Sequence, residues 1–210
     1  MKSVAVIGSG FAGLTSAIEL ASLGYNVSLF EKNDTPGGRA RKKIVDGFTF
    51  DMGPSWYWMP DVFENFFARH GKKPQDYYQL IKLDPGFSII YSKDDILNIP
   101  ASFDQLIDIF ENIEKGSGPK LKKFIKKAAI KYRIGMSDLV YKPSHTIFEF
   151  INIDVLKGLL HLNIFTNFRK YVRKYFVNSK LIKLMEFPVL FLGATPKNTP
   201  ALYSLMDYAG

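Results

Sequence analysis

The chain has 210 residues, 47% of them hydrophobic, which is enough to bury a substantial core in one or two domains. It carries 28 lysines and arginines against 20 acidic residues, a net charge of +8, and it has no cysteine, which excludes disulfides, thiolate metal sites and a flavin attached through cysteine. The apolar run over residues 3–18 is interrupted by three glycines and falls short of the roughly 20 residues that cross a bilayer, so we expect neither secretion nor a transmembrane helix.

The first predicted elements are a strand, a glycine-rich turn and a helix. An apolar run over residues 3–7 leads into a G-x-G-x-x-G pattern, and the helix predicted over residues 14–23 ends at Gly24. The first glycine of such a pattern permits a tight turn, the second lets a pyrophosphate approach the backbone, and the third lets the helix pack on the strand. The alternative is an ordinary glycine-rich turn. The predicted dinucleotide-binding residues are Gly8, Ser9, Gly10, Phe11, Ala12 and Gly13.

A second parallel strand is predicted over residues 25–30, and Glu31 closes it. A carboxylate at that position accepts hydrogen bonds from ribose hydroxyls and disfavours a 2′-phosphate, which argues against NADP. Shortly afterwards, Gly37 and Gly38 would leave bare backbone beside a phosphate or ribose, and the Arg39 guanidinium can donate charge-assisted hydrogen bonds to phosphate oxygens. The alternative is a solvated turn with a surface arginine. These residues leave FAD or NAD(P) as the ligand, with NADP disfavoured by Glu31.

The chain continues with a strand predicted over residues 44–52, an aromatic loop, and a helix over residues 61–70 that Gly71 ends. The loop contains Trp56, Tyr57 and Trp58. These aromatic side chains either line a cofactor or substrate site or serve only to pack the loop, and the sequence leaves both alternatives open.

Short strands and then helices are predicted for the remainder. The strands cover residues 78–83, 87–92 and 96–99, the last two forming a hairpin, and they begin an antiparallel sheet. Ser102 caps the next helix in a capping box with Gln105. From residue 119 onward the chain reads as almost entirely helical, with further caps at Ser144 and Thr199.

These elements predict an α/β fold with two domains. Residues 1–75 form the N-terminal part of a dinucleotide-binding domain, and residues 76–210 form an α+β domain for substrate and membrane association. A doubly wound sheet needs four or more parallel strands, but only two are visible in the pattern. We therefore expect an incomplete doubly wound, Rossmann-like unit beside a second, largely helical and basic domain that is itself incomplete.

Positive charge is concentrated in one half of the chain. Residues 120–183 contain 15 lysines and arginines but only three acidic residues. Residues 120–130 and 165–176 alternate basic with large apolar side chains, which is typical of amphipathic helices. Such helices can lie in the interface of an anionic membrane, or they can be solvated basic faces whose apolar side packs into the protein. No recognised nucleic-acid-binding motif accompanies the lysines.

Several stretches together resemble the bacterial phytoene desaturases, a group within the FAD-dependent carotenoid desaturases and amine oxidases. The resemblance covers essentially the whole chain, and the stretches are the G-x-G-x-x-G turn, Glu31, Gly37-Gly38-Arg39, and residues 47–55, 81–85, 187–196 and 199–204. It identifies the cofactor as FAD and adds Gly53, Pro54 and Ser55 to the expected cofactor-binding residues. Members of this family are about twice as long, and their C-terminal segments complete the flavin domain.

The resemblance implies removal of hydrogen from a colourless C40 polyene such as phytoene. An apolar substrate of this kind is stored in the membrane, which favours the interfacial interpretation of the basic helices and a cytoplasmic, peripherally membrane-associated protein. No acid–base dyad, catalytic triad or metal cluster is evident, and His70, His145 and His161 lack the spacing of metal ligands. The alternatives are another FAD-dependent oxidase, acting on an amine or porphyrinogen, and a truncated, non-catalytic module that docks on lipid or on a partner.

Overall fold

The computed structural model describes residues 1–54, 56–136, 140 and 163–209. The chain divides into two compact units, Met1–Gln79 and Leu80–Gly210. The functional roles assigned to residues 1–75 and 76–210 from the sequence stay predictions, and each unit is described by itself.

The first unit opens with a βαβ motif. Strand β1 covers Ser3–Ile7, helix α1 covers Phe11–Ser22 and strand β2 covers Asn26–Phe30. The two strands pair in parallel, from Ser3 opposite Asn26 to Ile7 opposite Phe30. This is the right order for a Rossmann-like unit, because a parallel pair needs a crossover helix between its strands. The helix begins three residues earlier than the periodicity predicted, directly after Gly10.

A β-hairpin follows where one strand was predicted. Strands β3, Lys42–Val45, and β4, Phe48–Asp51, pair antiparallel, so the single strand over residues 44–52 was wrong. The intervening Asp46 and Gly47 both have positive φ, 50° and 81°. An Asp-Gly dipeptide between two apolar runs is a strong hairpin signal, because both central residues of the tight turn need positive φ.

Helix α2 covers Pro60–Arg69 and packs beside α1. The ring of Phe63 meets that of Phe11 edge to face, with centroids 5.8 Å apart. The guanidinium of Arg69 lies 3.2 Å from a carboxylate oxygen of Glu19. Two short 3-10 turns complete the described elements of this unit, Gly38–Ala40 and Pro74–Asp76.

The first unit has little buried apolar surface. Within the described part of Met1–Gln79, no large hydrophobic side chain is fully buried, and Ile7 and Phe30 are 89% and 57% exposed. A parallel sheet is ordinarily covered on both faces and continues beyond two strands. The described residues of this unit therefore contain a two-stranded parallel sheet with uncovered apolar surface.

The second unit begins with the predicted hairpin. Strands β5, Phe87–Ser92, and β6, Asp95–Ile99, pair antiparallel, from Phe87 opposite Ile99 to Ser92 opposite Asp95. The strand predicted over residues 78–83 was wrong, because that segment pairs with no strand in the described part of the chain. The Tyr78 ring instead packs against the ring of Phe67.

Helices make up most of the rest of the second unit. The N–H of Gln105 donates to the Ser102 hydroxyl oxygen at 3.4 Å, so Ser102 caps its helix as predicted. Thr199 does not cap a helix, because its hydroxyl donates to the Thr195 carbonyl and Pro200 takes the capping position. The predicted cap at Ser144 lies outside the described residues. The helices are α3, Phe103–Ile113; α4, Ser117–Ile134; α5, Phe168–Val172; α6, Ser179–Glu186; and α7, Met206–Ala209; 3-10 turns span Phe187–Leu192 and Ala201–Leu205.

A cluster of aromatic rings forms the centre of this unit. The Phe124 side chain of α4 is fully buried, and its ring centroid lies 5.2 to 6.1 Å from those of Tyr171, Tyr175 and Phe176. Burial on this scale contributes about 1.5–3 kcal/mol for each large side chain. The apolar sides of both predicted amphipathic segments therefore face the protein core.

The basic segments also differ in shape from the prediction. Helix α4 is continuous, but residues 165–176 form one short helix, α5, rather than a long amphipathic one. The exposed side of α4 carries Lys122, Lys123, Lys126 and Lys127. No helix among the described residues combines the length and hydropathy that a membrane span requires.

Glu114, just after α3, connects three parts of the second unit. Its carboxylate accepts the backbone N–H groups of Val177 and Asn178 at 2.9 and 2.7 Å and lies 3.2 Å from the Lys120 ammonium. Burial raises the pKa of this carboxyl, but the hydrogen bonds from Asn178, Val177 and Lys120 outweigh burial and leave the pKa below its usual value.

We expect Glu114→Gln to destabilise the second unit by about 1–3 kcal/mol at neutral pH, since the two N–H groups lose a charged acceptor. A carboxyl whose pKa is lowered by folding stabilises above its unfolded pKa and loses this contribution as the pH falls through the folded pKa. The difference between wild type and variant should therefore shrink on acidification. Urea unfolding followed by far-UV circular dichroism measures it, with Asp108→Asn on exposed α3 surface as the control; a pH-independent difference would contradict the prediction.

Candidate functional site

The turn between β1 and α1 needs two of its glycines for reasons internal to the protein. Gly8 has φ +94°, a conformation that side chains with a Cβ rarely adopt, and its N–H donates to the Phe30 carbonyl at 2.7 Å. At Gly13, a Cβ would lie only 1.8 Å from the Gly8 carbonyl oxygen. The helix thus approaches the strand end so closely that only glycine fits at position 13.

Gly10 is different, because nothing within the described structure requires a glycine there. Its φ is −73°, which any residue adopts, and an added Cβ would meet only the Gly38 Cα, at an ordinary 3.8 Å. The turn therefore leaves an open space over the backbone of Gly10. This is what close approach of a ligand to the backbone requires.

The start of α1 offers hydrogen-bond donors beside this space. The first bond within the helix runs from the Leu14 N–H to the Gly10 carbonyl at 2.9 Å, so the N–H groups of Phe11, Ala12 and Gly13 have no carbonyl within the helix. Gly10 supplies no side-chain cap, and the first turn contains no acidic residue. Uncapped N–H groups and the positive end of the helix dipole favour an anion such as phosphate.

Gly37 and Gly38 lie directly against the turn between β1 and α1. The Gly37 N–H donates to the Ser9 carbonyl at 2.8 Å, and a Cβ on Gly38 would lie 3.0 Å from the Gly10 Cα. A Cβ on Gly53 would lie 2.0 Å from the Arg39 carbonyl oxygen. Three segments that the sequence singled out separately therefore meet backbone to backbone in the first unit.

Glu31 is held by donors from the protein itself. One carboxylate oxygen accepts the Ser9 N–H at 2.8 Å and the Ser9 hydroxyl at 2.7 Å. The other accepts the Asn33 N–H at 2.9 Å and the Asn33 side-chain amide at 2.6 Å. These bonds, led by the Ser9 hydroxyl, lower the pKa of Glu31 to about 2, so the side chain is a carboxylate across the physiological pH range.

The remaining predicted residues occupy the same region with differing exposure. Ser9 is buried, whereas Phe11, Ala12, Arg39 and Pro54 are exposed. Ser55 lies outside the described residues. Sequence reasoning missed Asn33, whose only signal was its position two residues after Glu31.

The aromatic loop is packed within the first unit. The Tyr57 ring lies 4.6 Å from that of Phe63, and its hydroxyl oxygen lies 2.6 Å from that of Tyr78. The indoles of Trp56 and Trp58 are stacked, 6.4 Å apart and 7° from parallel. Packing accounts for Tyr57, and a ligand-binding role for the indoles stays a prediction. No group of three or more His, Cys, Asp or Glu side chains in the described part of the chain could hold a metal ion.

Residues 6–69 match the domain family described as NAD(P)-binding Rossmann-like domain. The chain is 39% identical over 208 residues to a carotenoid 3,4-desaturase of Haloarcula japonica, covering 99% of this chain and 42% of that protein. The chain is thus similar to the N-terminal part of carotenoid desaturases. A 4,4′-diapophytoene desaturase of Staphylococcus aureus strain MRSA252 is 34% identical, over 97% of this chain and 40% of its own length. The sequence resemblance is thus confirmed, and the chain spans about two fifths of these desaturase relatives.

Solved structures share the fold at lower sequence identity. A putrescine oxidase triple mutant superposes with a TM-score of 0.62 at 16% identity, over 99% of this chain and 41% of that one. A fatty acid isomerase from P. acnes that produces CLA superposes with a TM-score of 0.53 at 18% identity, over 96% and 41%. Similarity at this level shows that this chain shares a Rossmann-like fold with these solved structures.

Proposed function

We propose that this chain is the N-terminal part of an FAD-dependent carotenoid desaturase, an oxidoreductase acting on CH–CH bonds. The observation that carries the proposal is the desaturase relationship, which extends over 99% of the chain rather than over the nucleotide-binding motif alone. The protein as a whole would convert a phytoene-like polyene into one with a longer conjugated system.

The first unit is proposed to bind the ADP half of FAD. The open space at Gly10 and the N–H groups at the start of α1 suit the pyrophosphate, and Glu31 suits the ribose hydroxyls. Gly37, Gly38 and Gly53 bring bare backbone to the same place, and the exposed Arg39 adds positive charge beside it. When bound, FAD would accept the hydrogen that leaves the polyene, so the residues of this chain need only bind, orient and exclude water.

Flavin stoichiometry tests the cofactor assignment. The purified chain is incubated with excess FAD, desalted and denatured, and flavin absorbance is compared with protein concentration. A ratio near one supports binding by residues 1–210. A ratio near zero in folded protein would mean that the described half-site does not retain FAD on its own.

The desaturase assignment has a separate test in cells. The whole gene is expressed in cells that accumulate phytoene, and the extracted pigments are separated by chromatography. New absorption bands from longer conjugated polyenes support the proposal. Unchanged phytoene together with bound FAD would point instead to another oxidase of the same fold.

We further propose that the second unit attaches peripherally to anionic membrane surfaces, where an apolar substrate is stored. The exposed lysines of α4 support an electrostatic attachment, whereas its apolar side, including Leu121 and Phe124, is buried in the core. Attraction to anionic lipid amounts to about 1 kcal/mol for each lysine near the surface. Such attachment needs no insertion of the helix into the bilayer.

Replacing Lys122, Lys123, Lys126 and Lys127 by Gln should weaken binding to vesicles containing anionic lipid by at least about tenfold, because the attraction is summed over four charges. Vesicle sedimentation at low and high salt measures the effect. The matched control replaces four exposed lysines of the first unit by Gln: Lys32, Lys42, Lys43 and Lys72. If both sets of substitutions weakened vesicle binding equally, net charge alone, and not the position of the lysines on α4, would account for the binding.

A further inference from the structure

The carboxylate proposed to bind ribose is saturated by the protein itself. A carboxylate offers about four lone-pair positions, and four N–H or O–H donors already occupy those of Glu31 at 2.6 to 2.9 Å. A ribose hydroxyl can therefore donate to Glu31 only if one of these donors leaves. The question is which of the four donors leaves Glu31 when the nucleotide binds.

We infer that the side-chain amide of Asn33 occupies the place on the Glu31 carboxylate that accepts a ribose hydroxyl. When the nucleotide binds, the ribose hydroxyl replaces this amide, whereas Ser9 stays bound to Glu31 as a positioning residue. The inference rests on the proposed nucleotide site. It makes Asn33 a residue that sets how strongly the site discriminates between nucleotides with and without ribose hydroxyls.

Three of the four donors are fixed by the fold. The two backbone N–H groups belong to Ser9 and Asn33, and the Ser9 backbone is held in place because its carbonyl accepts the Gly37 N–H at 2.8 Å. The Ser9 side chain is only 2% exposed. If its hydroxyl left Glu31, it would have to find another partner in the protein interior, and an unsatisfied buried hydroxyl is costly.

The fourth donor is free to move. The Asn33 side chain is partly exposed, so rotation about its own torsions carries the amide into water, which satisfies its N–H groups. The carboxylate oxygen it vacates is not the one that buried Ser9 binds. The exchange replaces one hydrogen bond by another and keeps Glu31 oriented by its three remaining donors.

The exchange has a measurable signature in ligand preference. In the wild-type chain the ribose hydroxyl that reaches Glu31 replaces the bond from the Asn33 amide, so removing the 2′- and 3′-hydroxyls should weaken binding by less than about threefold. In Asn33→Ala only water occupies the acceptor position, so a ribose hydroxyl bonds to a charged group without displacing a protein donor. Removal of the hydroxyls should then weaken binding by about tenfold or more.

The experiment titrates the 210-residue chain with ADP and with 2′,3′-dideoxy-ADP, following NMR chemical shifts so that weak binding is quantified. Wild type, Asn33→Ala and Ser9→Ala are compared, because Ser9→Ala removes a side-chain donor from the same carboxylate on its buried side. We expect the ratio of the two dissociation constants to rise only in Asn33→Ala. A merely structural role of Asn33 would change both constants equally and leave the ratio unaltered.

Equal ratios in wild type and Asn33→Ala would overturn the exchange while leaving the nucleotide site intact. A ratio that rises in Ser9→Ala and not in Asn33→Ala would overturn the choice of leaving donor. Failure of the wild-type chain to bind ADP at all would instead overturn the proposed nucleotide site, and the exchange with it.

Discussion

Gly10→Val is expected to reduce flavin binding by the purified chain to background, with a change in its unfolding free energy within about 1 kcal/mol. The backbone at this position has an ordinary φ, and an added Cβ meets only the Gly38 Cα at 3.8 Å, so the folded chain tolerates the side chain. The two methyl groups fill the space over the turn that a pyrophosphate needs. Flavin stoichiometry after desalting measures binding, and far-UV circular dichroism confirms that the variant is folded.

Gly13→Ala is the informative comparison for this variant. Its Cβ would lie 1.8 Å from the Gly8 carbonyl oxygen, so β1 and α1 must move apart whether or not a ligand is present. Overpacking costs about 1–3 kcal/mol and occasionally more, and this approach is severe enough to expect the upper part of that range. Hydrogen exchange of the β1 amides should therefore accelerate in Gly13→Ala and stay unchanged in Gly10→Val. Undiminished flavin binding by Gly10→Val would exclude the pyrophosphate from this turn.

Phe124→Ala is expected to destabilise the second unit by about 3–5 kcal/mol. The Phe124 side chain is fully buried, and its ring lies among those of Tyr171, Tyr175 and Phe176. Removing the ring leaves a cavity that these aromatic neighbours cannot fill without losing their own packing. Urea unfolding followed at 222 nm gives the change, because the helices of this unit dominate that signal.

Phe165→Ala provides the matched control, since the same side chain is removed from a position that is 97% exposed. It should change the unfolding free energy by less than about 0.5 kcal/mol. If Phe165→Ala lowered the unfolding free energy as much as Phe124→Ala, the exposure of a side chain in the second unit would not predict its contribution to stability. Similar, small losses in both variants would contradict the position of Phe124 in the core.

The glycine-rich turn between β1 and α1 could be predicted because each of its residues has a local reason. Strand, turn, helix and acidic residue follow one another within about thirty residues, so short-range rules suffice to place them. The close contact of Gly53 with Arg39, by contrast, depends on the hairpin of β3 and β4. That hairpin was missed because the Asp46-Gly47 turn signal was read as part of one strand.

Other features were beyond sequence patterns for physical reasons. Periodicity identified the apolar side of α4 but could not tell whether it faces lipid or protein, since both environments favour the same side chains. The bonds between Asn33 and Glu31 depend on the chain direction after β2, which composition does not reveal. Residues 78–83 had strand composition but pair with no strand in the described part of the chain, and pairing is a property of the whole sheet.

The aromatic loop gives the two units separate optical signals. Both tryptophans of the chain, Trp56 and Trp58, belong to the first unit, whereas most of the described helical residues belong to the second. Indole emission therefore monitors melting of the first unit, and ellipticity monitors mainly the aromatic core around Phe124. Because the first unit buries little apolar surface, its emission should change at lower urea concentration than the ellipticity, and a ligand of the glycine turn should bring the two transitions together.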